Sequence, residues 1–361
     1  MAQFPLRPGS TIGVLGGGQL GRMLALAAAR LGFDTAILTP ETDSCAARVA
    51  ARTIVAAYDD ADALKALAQD AAVVTFEFEN VPAKVVETLL TLGVDVAPCA
   101  RALAIAQDRV DEKTFLRSCR APTVDFVAVG RPRDVVAAVA KIGAPALLKT
   151  RREGYDGKGQ TWIENHADCE AAFERIGRVP AIVEAPADFV RELSVIAARG
   201  RDGDVRAYPL GENHHEGGVL RRTSAPAAVS AAVTQEAQTI AARILTQLDY
   251  VGVIGVELFE LEGGRLLVNE FAPRVHNTGH WTLDGCEVDQ FEQHIRAIAG
   301  WPLGPTAPLA HVEMENLLGD EAERWEALAH EAEARVWLYG KGEARPGRKM
   351  GHVNRLTPLR D

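Results

Sequence analysis

Residues 251–271, VGVIGVELFELEGGRLLVNEF, decide the fold, because a glycine pair separates two runs with the alternation typical of β-strands. Gly263-Gly264 suits the tight turn of a β-hairpin, since glycine readily adopts the positive φ angles that such turns need. A turn at these residues places Glu257 directly opposite Glu270, and Glu262 opposite Arg265. The segment therefore predicts two antiparallel strands with a defined register.

The predicted pairing of Glu257 with Glu270 requires a counter-charge. Carboxylates directly opposite each other destabilise a strand pair, and Glu257 shares its predicted face with Phe259 and Val268, where an unpaired charge is costly. Mg²⁺ removes this conflict, because proteins usually hold it with carboxylates, nucleotide phosphates and water. We predict that the two glutamates bind one or two Mg²⁺ ions; the alternative is a pair of solvated surface glutamates. Asn269 joins them only if the strand is locally twisted.

The composition is that of an ordinary soluble protein, with 361 residues of which 47% are hydrophobic and 24% charged. A net charge of −10 argues against general binding to nucleic acids or anionic membranes, which requires a positive field. The five cysteines are far apart and form no CxxC pair, so neither a disulfide framework nor a structural zinc site is predicted. The first residues lack the hydrophobic region of a signal peptide, and we expect a cytoplasmic protein.

The N-terminal part alternates predicted strands and helices. TIGVLG and TAIL are strands on either side of a helix at residues 20–31, and AAVVTFEFE precedes a helix at residues 84–92. This order indicates a parallel sheet with crossover helices, which is a Rossmann-like α/β unit. Longer helices and hairpin-like strands then indicate an α+β unit, followed by a small closing module. The predicted domains are therefore 1–106, 107–295 and 296–361.

Gly16, Gly18 and Gly21 form G-x-G-x-x-G between the first strand and the first helix. The pattern is typical of NAD(P)-binding turns, but the acidic residue expected after the second strand has only Glu41 as a candidate. Two other interpretations stay open. The loop binds a single phosphate at the helix N-terminus, or the glycines only allow the helix and strand to pack closely.

Glu77 and Glu79 lie where the third strand meets its loop, which is the edge where ligands bind in open parallel sheets. Their alternate spacing predicts that both carboxylates lie on one face of the strand. Ligand binding and a solvated acidic strand end are both compatible with this pattern.

The central part of the chain has the chemistry of a nucleotide site. Lys149 ends the apolar strand APALLK, and GYDGKGQ at residues 154–160 is a glycine-rich loop whose amides suit phosphates, although it is not a Walker A motif. Glu184 ends the strand AIVE, where adenine or ribose would be recognised, and Glu192 follows. GENHHEGGVLRRTSAP at residues 211–226 is predicted to be a long polar loop before an alanine-rich helix at residues 227–248.

This ordered set resembles the ATP-grasp enzymes, in which two α+β lobes hold ATP between antiparallel sheets. The segments GGGQLGRM, GYDGKGQ, NEFAPRVHNTGHWT and RPGRKMGH further resemble the 5-(carboxyamino)imidazole ribonucleotide synthase family, and the resemblance spans nearly the whole chain. It implies that ATP phosphorylates bicarbonate to carboxyphosphate, which carboxylates the exocyclic amine of 5-aminoimidazole ribonucleotide. It also implies a homodimer.

The resemblance implies two groups of site residues by matching positions. ATP would contact Arg109, Lys149, Gly154, Tyr155, Asp156, Gly157, Lys158, Gly159, Gln160, Glu184, Ala185, Pro186, Ala187, Glu192, His215, Asn269 and Glu270. The ribonucleotide and bicarbonate would contact Gln19, Leu20, Glu77, Tyr155, Asp156, Lys158, Arg274, His276, Lys341 and Arg348.

Four of these residues would take part in catalysis, namely Asp156, Lys158, Arg274 and His276. Asp156 would orient or deprotonate the attacking amine, and the planar fork of Arg274 suits an oxyanion. Lys341, with three basic neighbours at residues 345–349, suits a substrate phosphate; a solvated basic turn is the alternative.

Three other functions would each account for part of these residues. Another ATP-grasp ligase, such as a biotin carboxylase or a formate-using glycinamide ribonucleotide transformylase, would share the nucleotide residues. An NAD(P) oxidoreductase depends on the first glycine loop alone and leaves the glutamate pair unexplained. A non-catalytic nucleotide sensor would not need Asp156, Arg274 and both metal carboxylates together.

His276 and His280 are four residues apart, but Asn277-Thr278-Gly279 argues against the helix that a zinc pair prefers, so hydrogen bonding is predicted for them.

Overall fold

A computed structural model describes residues 2–154 and 157–359, and these residues form three β-sheets. The first sheet is parallel, and the second and third are antiparallel. In the described residues no helix is both long and apolar enough to cross a bilayer.

The N-terminal unit is a five-stranded parallel sheet in the order β3-β2-β1-β4-β5 with helices between its strands, which confirms the Rossmann-like prediction. Strand β4, which lies between β1 and β5, is completely buried, as expected for a parallel strand covered on both faces. Its elements are β1 (Thr11–Leu15), α1 (Gln19–Arg30), β2 (Asp34–Thr39), β3 (Arg52–Val55), α2 (Ala61–Asp70), β4 (Val73–Phe76), α3 (Ala83–Thr91), β5 (Asp95–Val96) and α4 (Ala100–Ala106).

The second sheet is a small antiparallel sheet in the order β6-β9-β7-β8. Helices α6 and α7 pack on it through a core of small and branched residues. The elements of this part of the chain are α5 (Arg109–Ser118), β6 (Phe126–Val129), α6 (Pro132–Ile142), β7 (Ala146–Thr150), β8 (Gln160–Ile163), α7 (Cys169–Arg175) and β9 (Ala181–Glu184).

The third sheet has nine strands in the order β15-β14-β10-β12-β13-β16-β18-β17, with β11 paired to β10. Its strands are β10 (Phe189–Arg199), β11 (Val205–Ala207), β12 (Gly211–Glu216), β13 (Val219–Ala225), β14 (Gly252–Leu261), β15 (Leu266–Ala272), β16 (Ala310–Leu318), β17 (Ala334–Leu338) and β18 (Lys349–Pro358). Its helices are α8 (Ala231–Gln247), α9 (Thr282–Gly285), α10 (Gln290–Ala299) and α11 (Trp325–Ala329).

The prediction of a long polar loop at residues 211–226 is wrong. These residues form the hairpin of β12 and β13, which turns at Gly217-Gly218, and both glycines have positive φ angles. The strands are polar because one side faces an open cleft instead of a hydrophobic core, as the lining of that cleft by Asn213 and His215 indicates.

The C-terminal strands extend the large sheet, because β16 pairs with β13 along residues 222–225. Where one unit stops and the next starts stays a prediction. Two hydrophobic cores fix the large sheet, one against α8 and one shared with α1 and α10. The cleft between the small sheet and the large sheet carries the candidate site.

Candidate active site

The structure confirms that Glu257 on β14 lies directly opposite Glu270 on β15. The turn is not the predicted two-residue turn, however. Residues 262–264 form a 3₁₀ turn, and the amide of Leu261 donates to the carbonyl of Arg265 at 2.8 Å. Arg265 therefore lies opposite Leu261, and the prediction that it pairs with Glu262 is wrong.

A β-bulge restores the register that the longer turn would have shifted. Leu258 lies opposite Val268, whereas Glu257 lies opposite Glu270, so Asn269 is the extra residue. Leu258 and Val268 point into the core, which means that Val268 does not share a face with Glu257 as predicted. The bulge turns two consecutive side chains, Asn269 and Glu270, toward the cleft. Asn269 also hydrogen-bonds the side chain of Glu257.

The two opposed carboxylates have different proton affinities. Burial and the neighbouring charge of Glu270 raise the pKa of Glu257 to about 7. Burial alone would also raise the pKa of Glu270, but Arg109, whose guanidinium nitrogen lies 3.0 Å from its carboxylate, lowers it. Arg109 also donates to the carbonyl of Gly154 at 3.0 Å, which ties the glycine-rich loop to the glutamate pair.

Two cavities meet at this pair, and Arg109, Glu257 and Glu270 line both. The larger cavity, about 950 Å³, opens between the small and large sheets. Its other charged or polar lining residues from the predicted nucleotide set are Lys149, Lys158, Gln160, Glu192, His215 and Asn269. The smaller cavity, about 620 Å³, continues toward the N-terminal unit and is lined by Glu79, Arg274 and His276.

Glu184 forms salt bridges with two lysines, and one of them, Lys149, lines the larger cavity. Its carboxylate lies 2.8 Å from Lys149 and 3.2 Å from Lys113, and its side chain is only 4% exposed. Burial would raise the pKa of Glu184, but the two ammonium groups lower it to about 2. Lys113 also donates to the carbonyl of Asn269 at 3.2 Å, so the same lysine connects this carboxylate to the bulge.

His215 and Glu192 form a hydrogen-bonded pair across neighbouring strands of the large sheet. Burial favours the neutral ring, yet the bond to the Glu192 carboxylate raises the pKa of His215. Both residues face the larger cavity together with Gly157. Gly157 and Gly159 have φ angles of 76° and 70°, so the loop between β7 and β8 depends on glycine at these positions.

Arg274 and His276 stand at the far side of the glutamate pair. The guanidinium of Arg274 pairs with the carboxylate of Glu79. Burial would raise the pKa of Glu79, but Arg274 lowers it to about 2. The ring of His276 lies 3.7 Å from the Glu257 carboxylate, and its Nδ1 lies 2.8 Å from the hydroxyl of Thr278. Burial and the charge of Arg274 lower the pKa of His276 to about 3, which keeps the ring neutral.

The first glycine loop surrounds the carboxylate of Glu77. The amides of Gly18 and Gly21 donate to it, the second at 2.7 Å. A Cβ at Gly16 would lie 2.2 Å from Cγ of Glu77, so this glycine leaves room for the glutamate. The donors that would bind a dinucleotide phosphate already have an acidic partner, and the NAD(P) interpretation is therefore wrong.

Lys341 lies near this acidic group. Burial raises the pKa of Glu77 and of Cys45, and the nearby positive charge of Lys341 partly offsets this rise; burial lowers the pKa of Lys341 itself. Its ammonium group is 5.7 Å from the ring centre of Tyr339. Arg348 donates to the carbonyl of Glu343 at 2.8 Å, within the same loop between β17 and β18.

Three family models match the chain in sequence order. A ribonucleotide synthetase preATP-grasp domain matches residues 10–107, and an ATP-grasp domain matches residues 114–291. A phosphoribosylaminoimidazole carboxylase C-terminal domain matches residues 313–360.

Similar proteins extend over almost the whole chain. The N5-carboxyaminoimidazole ribonucleotide synthase of Brucella melitensis biotype 1 is 50% identical over 360 residues, which is 99% of each chain. The chain belongs to the N5-carboxyaminoimidazole ribonucleotide synthase family. This confirms the predicted family, the ATP-grasp fold and the ligase class.

Solved structures of family members agree with this assignment. An N5-carboxyaminoimidazole ribonucleotide synthetase crystallised as an ADP complex has a TM-score of 0.94 at 39% identity, covering 98% of this chain and 93% of the other. An Aspergillus clavatus synthase in complex with ADP and 5-aminoimidazole ribonucleotide has a TM-score of 0.90 at 32% identity, covering 97% and 94%.

Some residues that the family resemblance implies are not brought together by the structure. Ala185 and Pro186 line a separate groove beside Asp125 and Leu267, and Ala187 lies in the connection between β9 and β10. Their contact with ATP stays a prediction. Tyr155 and Asp156 lie outside the described residues, whereas Gln19 begins α1 and Leu20 is buried in the core.

Two charged residues of the site, Glu112 and Lys113, were missed at the level of sequence. Glu112 accepts a hydrogen bond from the amide of Phe271 at 2.7 Å, and Lys113 pairs with Glu184. Glu79 was recognised as a candidate but without its partner, Arg274. The available signal was the helix RVDEKTFLRS, in which Glu112 and Lys113 precede the buried Phe115-Leu116 pair. Adjacent charges on an amphipathic helix usually face water, so this signal did not distinguish buried from solvated charges.

Proposed function

We propose that the chain carboxylates 5-aminoimidazole ribonucleotide with bicarbonate and ATP, yielding the N5-carboxylated ribonucleotide, ADP and phosphate. The observation that carries the proposal is the pair of cavities that share Arg109, Glu257 and Glu270. One cavity has the lysines and glycine loop of a nucleotide site, and the other has the arginine and histidine expected for an anionic intermediate. A family member that matches at a TM-score of 0.90 was solved with ADP and 5-aminoimidazole ribonucleotide.

The residues at the junction fit Mg²⁺. Glu257, Glu270 and the side chain of Asn269 offer hard oxygen ligands on one face, and the like charges of the two glutamates otherwise oppose each other. These side chains would hold one or two ions. A bound Mg²⁺ supplies positive charge to the phosphate oxygens of ATP.

Around the nucleotide, this chain's own cations would neutralise the transferred phosphoryl group. Lys149 and Lys158 line the larger cavity, and Arg109 lies between the two cavities. A bicarbonate oxygen attacks the γ-phosphorus of ATP, the bond to the β–γ bridging oxygen breaks, and carboxyphosphate and ADP result. Charge neutralisation by fixed side chains lowers the barrier because the cleft excludes part of the solvent.

In the second step the exocyclic amine attacks the carboxyl carbon, and phosphate leaves with the electrons of the broken C–O bond. Arg274 has a planar fork for the oxyanion, and Glu79 fixes its orientation. The amine loses one proton, for which we assign Asp156 as the orienting or accepting carboxylate. His276 is neutral and donates or accepts a hydrogen bond without adding charge.

The ribonucleotide would extend from Arg274 toward Glu77, Gln19 and Lys341. The positive charges of Arg274 and Lys341 both act on the carboxyl group of Glu77, which supports this path for the ribonucleotide. Lys341 and Arg348 would bind the 5′-phosphate.

A cytoplasmic location and a homodimer belong to the same proposal; the five cysteines are free thiols, which suits a reducing compartment.

The test is phosphate release from MgATP and bicarbonate, with and without 5-aminoimidazole ribonucleotide, together with detection of the carboxylated product. Strong stimulation by this ribonucleotide, and none by glycinamide ribonucleotide, is the expected result. ATP binding without stimulation would retain the fold but refute the proposed substrate.

A further inference from the structure

Gln290 bonds both backbone polar groups of His276. Its side-chain oxygen accepts from the amide of His276 at 2.8 Å, and its side-chain nitrogen donates to the carbonyl of His276 at 2.7 Å. The same nitrogen lies 3.2 Å from Nδ1 of His280. Gln290 is completely buried, so the backbone groups of His276 have no competing water.

The surroundings hold the Gln290 side chain in one place. The backbone amide of Gln290 donates to the hydroxyl of Thr282 at 3.1 Å. The carboxylate of Asp289 caps the first turn of α10 by accepting from the backbone amides of Phe291 and Glu292 at 2.8 and 3.0 Å. A Cβ at Gly279 would lie 2.7 Å from the side-chain oxygen of Gln290. Glycine is therefore needed at this position for the glutamine to reach His276.

His276, the residue that Gln290 holds, lies in the stretch of chain that follows Glu270 toward the smaller cavity. β15 carries Glu270 and ends at Ala272, and Arg274 and His276 follow before the turn at residues 277–279. Both of these side chains line the smaller cavity. This stretch has no regular strand partner in the described residues, so its position depends on such side-chain contacts.

We propose that Gln290 is a positioning residue that sets His276, and with it Arg274, for transfer of the carboxyl group to the amine. The inference rests on the proposed function, because it assumes that these two residues meet carboxyphosphate and the ribonucleotide. Loss of the contact lets the stretch move, so the intermediate forms but is transferred inefficiently and hydrolyses instead.

The chain contains a matched control one helical turn further on. Gln293 is also completely buried on α10, and its side chain makes the same double contact with the backbone of Gly304, at 2.7 and 3.0 Å. Gly304 lies in the connection between α10 and β16 and lines neither cavity. Gln293→Met therefore removes an equivalent buried contact away from the site.

The experiment compares wild type, Gln290→Met and Gln293→Met for ADP affinity, thermal stability, and phosphate released per carboxylated ribonucleotide. We expect Gln290→Met to lower kcat/KM for the ribonucleotide about 10- to 100-fold and to raise the phosphate-to-product ratio, with ADP affinity unchanged. Gln293→Met should lose comparable stability and keep the wild-type ratio.

Equal ratios in the two variants would overturn the inference, whereas a wild type that forms no product would refute the proposed function instead. If Gln290→Met does not fold, Gly279→Ala gives the second measurement, because its methyl group displaces the glutamine without removing it. A wild-type ratio in a folded Gly279→Ala protein would also overturn the inference.

Discussion

Glu270 lies close to more charged side chains than a residue that only binds a metal ion would need. It opposes Glu257, pairs with Arg109 at 3.0 Å, and lies within electrostatic range of Lys149. Its charge therefore orders the cationic side of the cleft as well as the proposed metal position. Removing that charge should affect chemistry far more than folding, because the side chain is 40% exposed.

We predict that Glu270→Gln lowers kcat for ATP turnover at least about 100-fold, since it removes a fixed charge from the phosphoryl-transfer site. The melting temperature should stay close to that of the wild type. The measurement is ADP formation at saturating MgATP, with Glu262→Gln on the exposed turn of the same hairpin as the control. Wild-type turnover in Glu270→Gln would refute the metal assignment.

Lys341 is a partly buried cation, and burial lowers its pKa. An anionic ligand offsets that desolvation, which is the basis for assigning it the 5′-phosphate. We predict that Lys341→Met raises KM for 5-aminoimidazole ribonucleotide about 10- to 100-fold, with little change in KM for ATP. Lys141→Met, on the exposed end of α6, is the matched control. An unchanged KM for the ribonucleotide would place its phosphate elsewhere.

At the scale of elements, the hairpin of β14 and β15 was predicted with the correct pairing of Glu257 and Glu270 but with the wrong turn. The Gly-Gly dipeptide indicated where the chain reverses, but not that the turn has three residues. The bulge at Asn269 then brought Glu270 back opposite Glu257. A bulge depends on packing against α5 and α8, so strand alternation alone does not reveal it.

The bulge brings the side-chain amide of Asn269 beside the two carboxylates, which leads to a further prediction. Asn269→Ala should retain turnover at saturating Mg²⁺ but raise the Mg²⁺ concentration for half-maximal activity about tenfold. Activity is measured against free Mg²⁺ at constant ATP. A Mg²⁺ requirement equal to that of the wild type would show that Asn269 does not contribute to the metal site.

The hairpin of β12 and β13 shows where sequence patterns fail. GENHHEGGVLRRTSAP lacks the apolar alternation of a half-buried strand, although its Gly217-Gly218 turn resembles that of other hairpins. Strands at an open cleft carry polar ligand-facing residues, so function removes the pattern on which the prediction depends. The N-terminal unit has no such conflict, and the two helices predicted there, at residues 20–31 and 84–92, are found as α1 (Gln19–Arg30) and α3 (Ala83–Thr91).

The lysine pair on Glu184 was also beyond sequence reasoning. Lys113 and Lys149 come from different elements, α5 and β7, and meet at the carboxylate of Glu184, the last residue of β9. A lysine at a strand end is recognisable in a sequence. A lysine on an amphipathic helix is not, since most such residues are solvated.

At the scale of the whole molecule, buried histidines connect the units. His294 on α10 lies 2.8 Å from the hydroxyl of Thr75 in the N-terminal sheet, and it accepts from the amide of Val253 on β14 at 3.1 Å. His280 and His352 pack together in the large-sheet unit, with ring centres 4.9 Å apart. Burial lowers the pKa of His294 and of His352 to about 3, and it lowers the pKa of His280 as well.

These histidines make the stability of the protein fall on acidification. For His294 and His352, between the ordinary histidine pKa of about 6.5 and a folded pKa of about 3, only the unfolded chain binds the proton, so each of these two rings weakens the folded state by up to about 1.4 kcal/mol per pH unit on acidification. His294→Gln removes one such ring. The variant should be less stable at pH 7 but lose less stability between pH 6.5 and 5, when urea midpoints are followed by tryptophan fluorescence. His311→Gln, on an exposed ring, is the matched control, and a pH dependence in His294→Gln equal to that of the wild type would show that the folded and unfolded chains bind a proton at His294 equally well, which would refute the prediction.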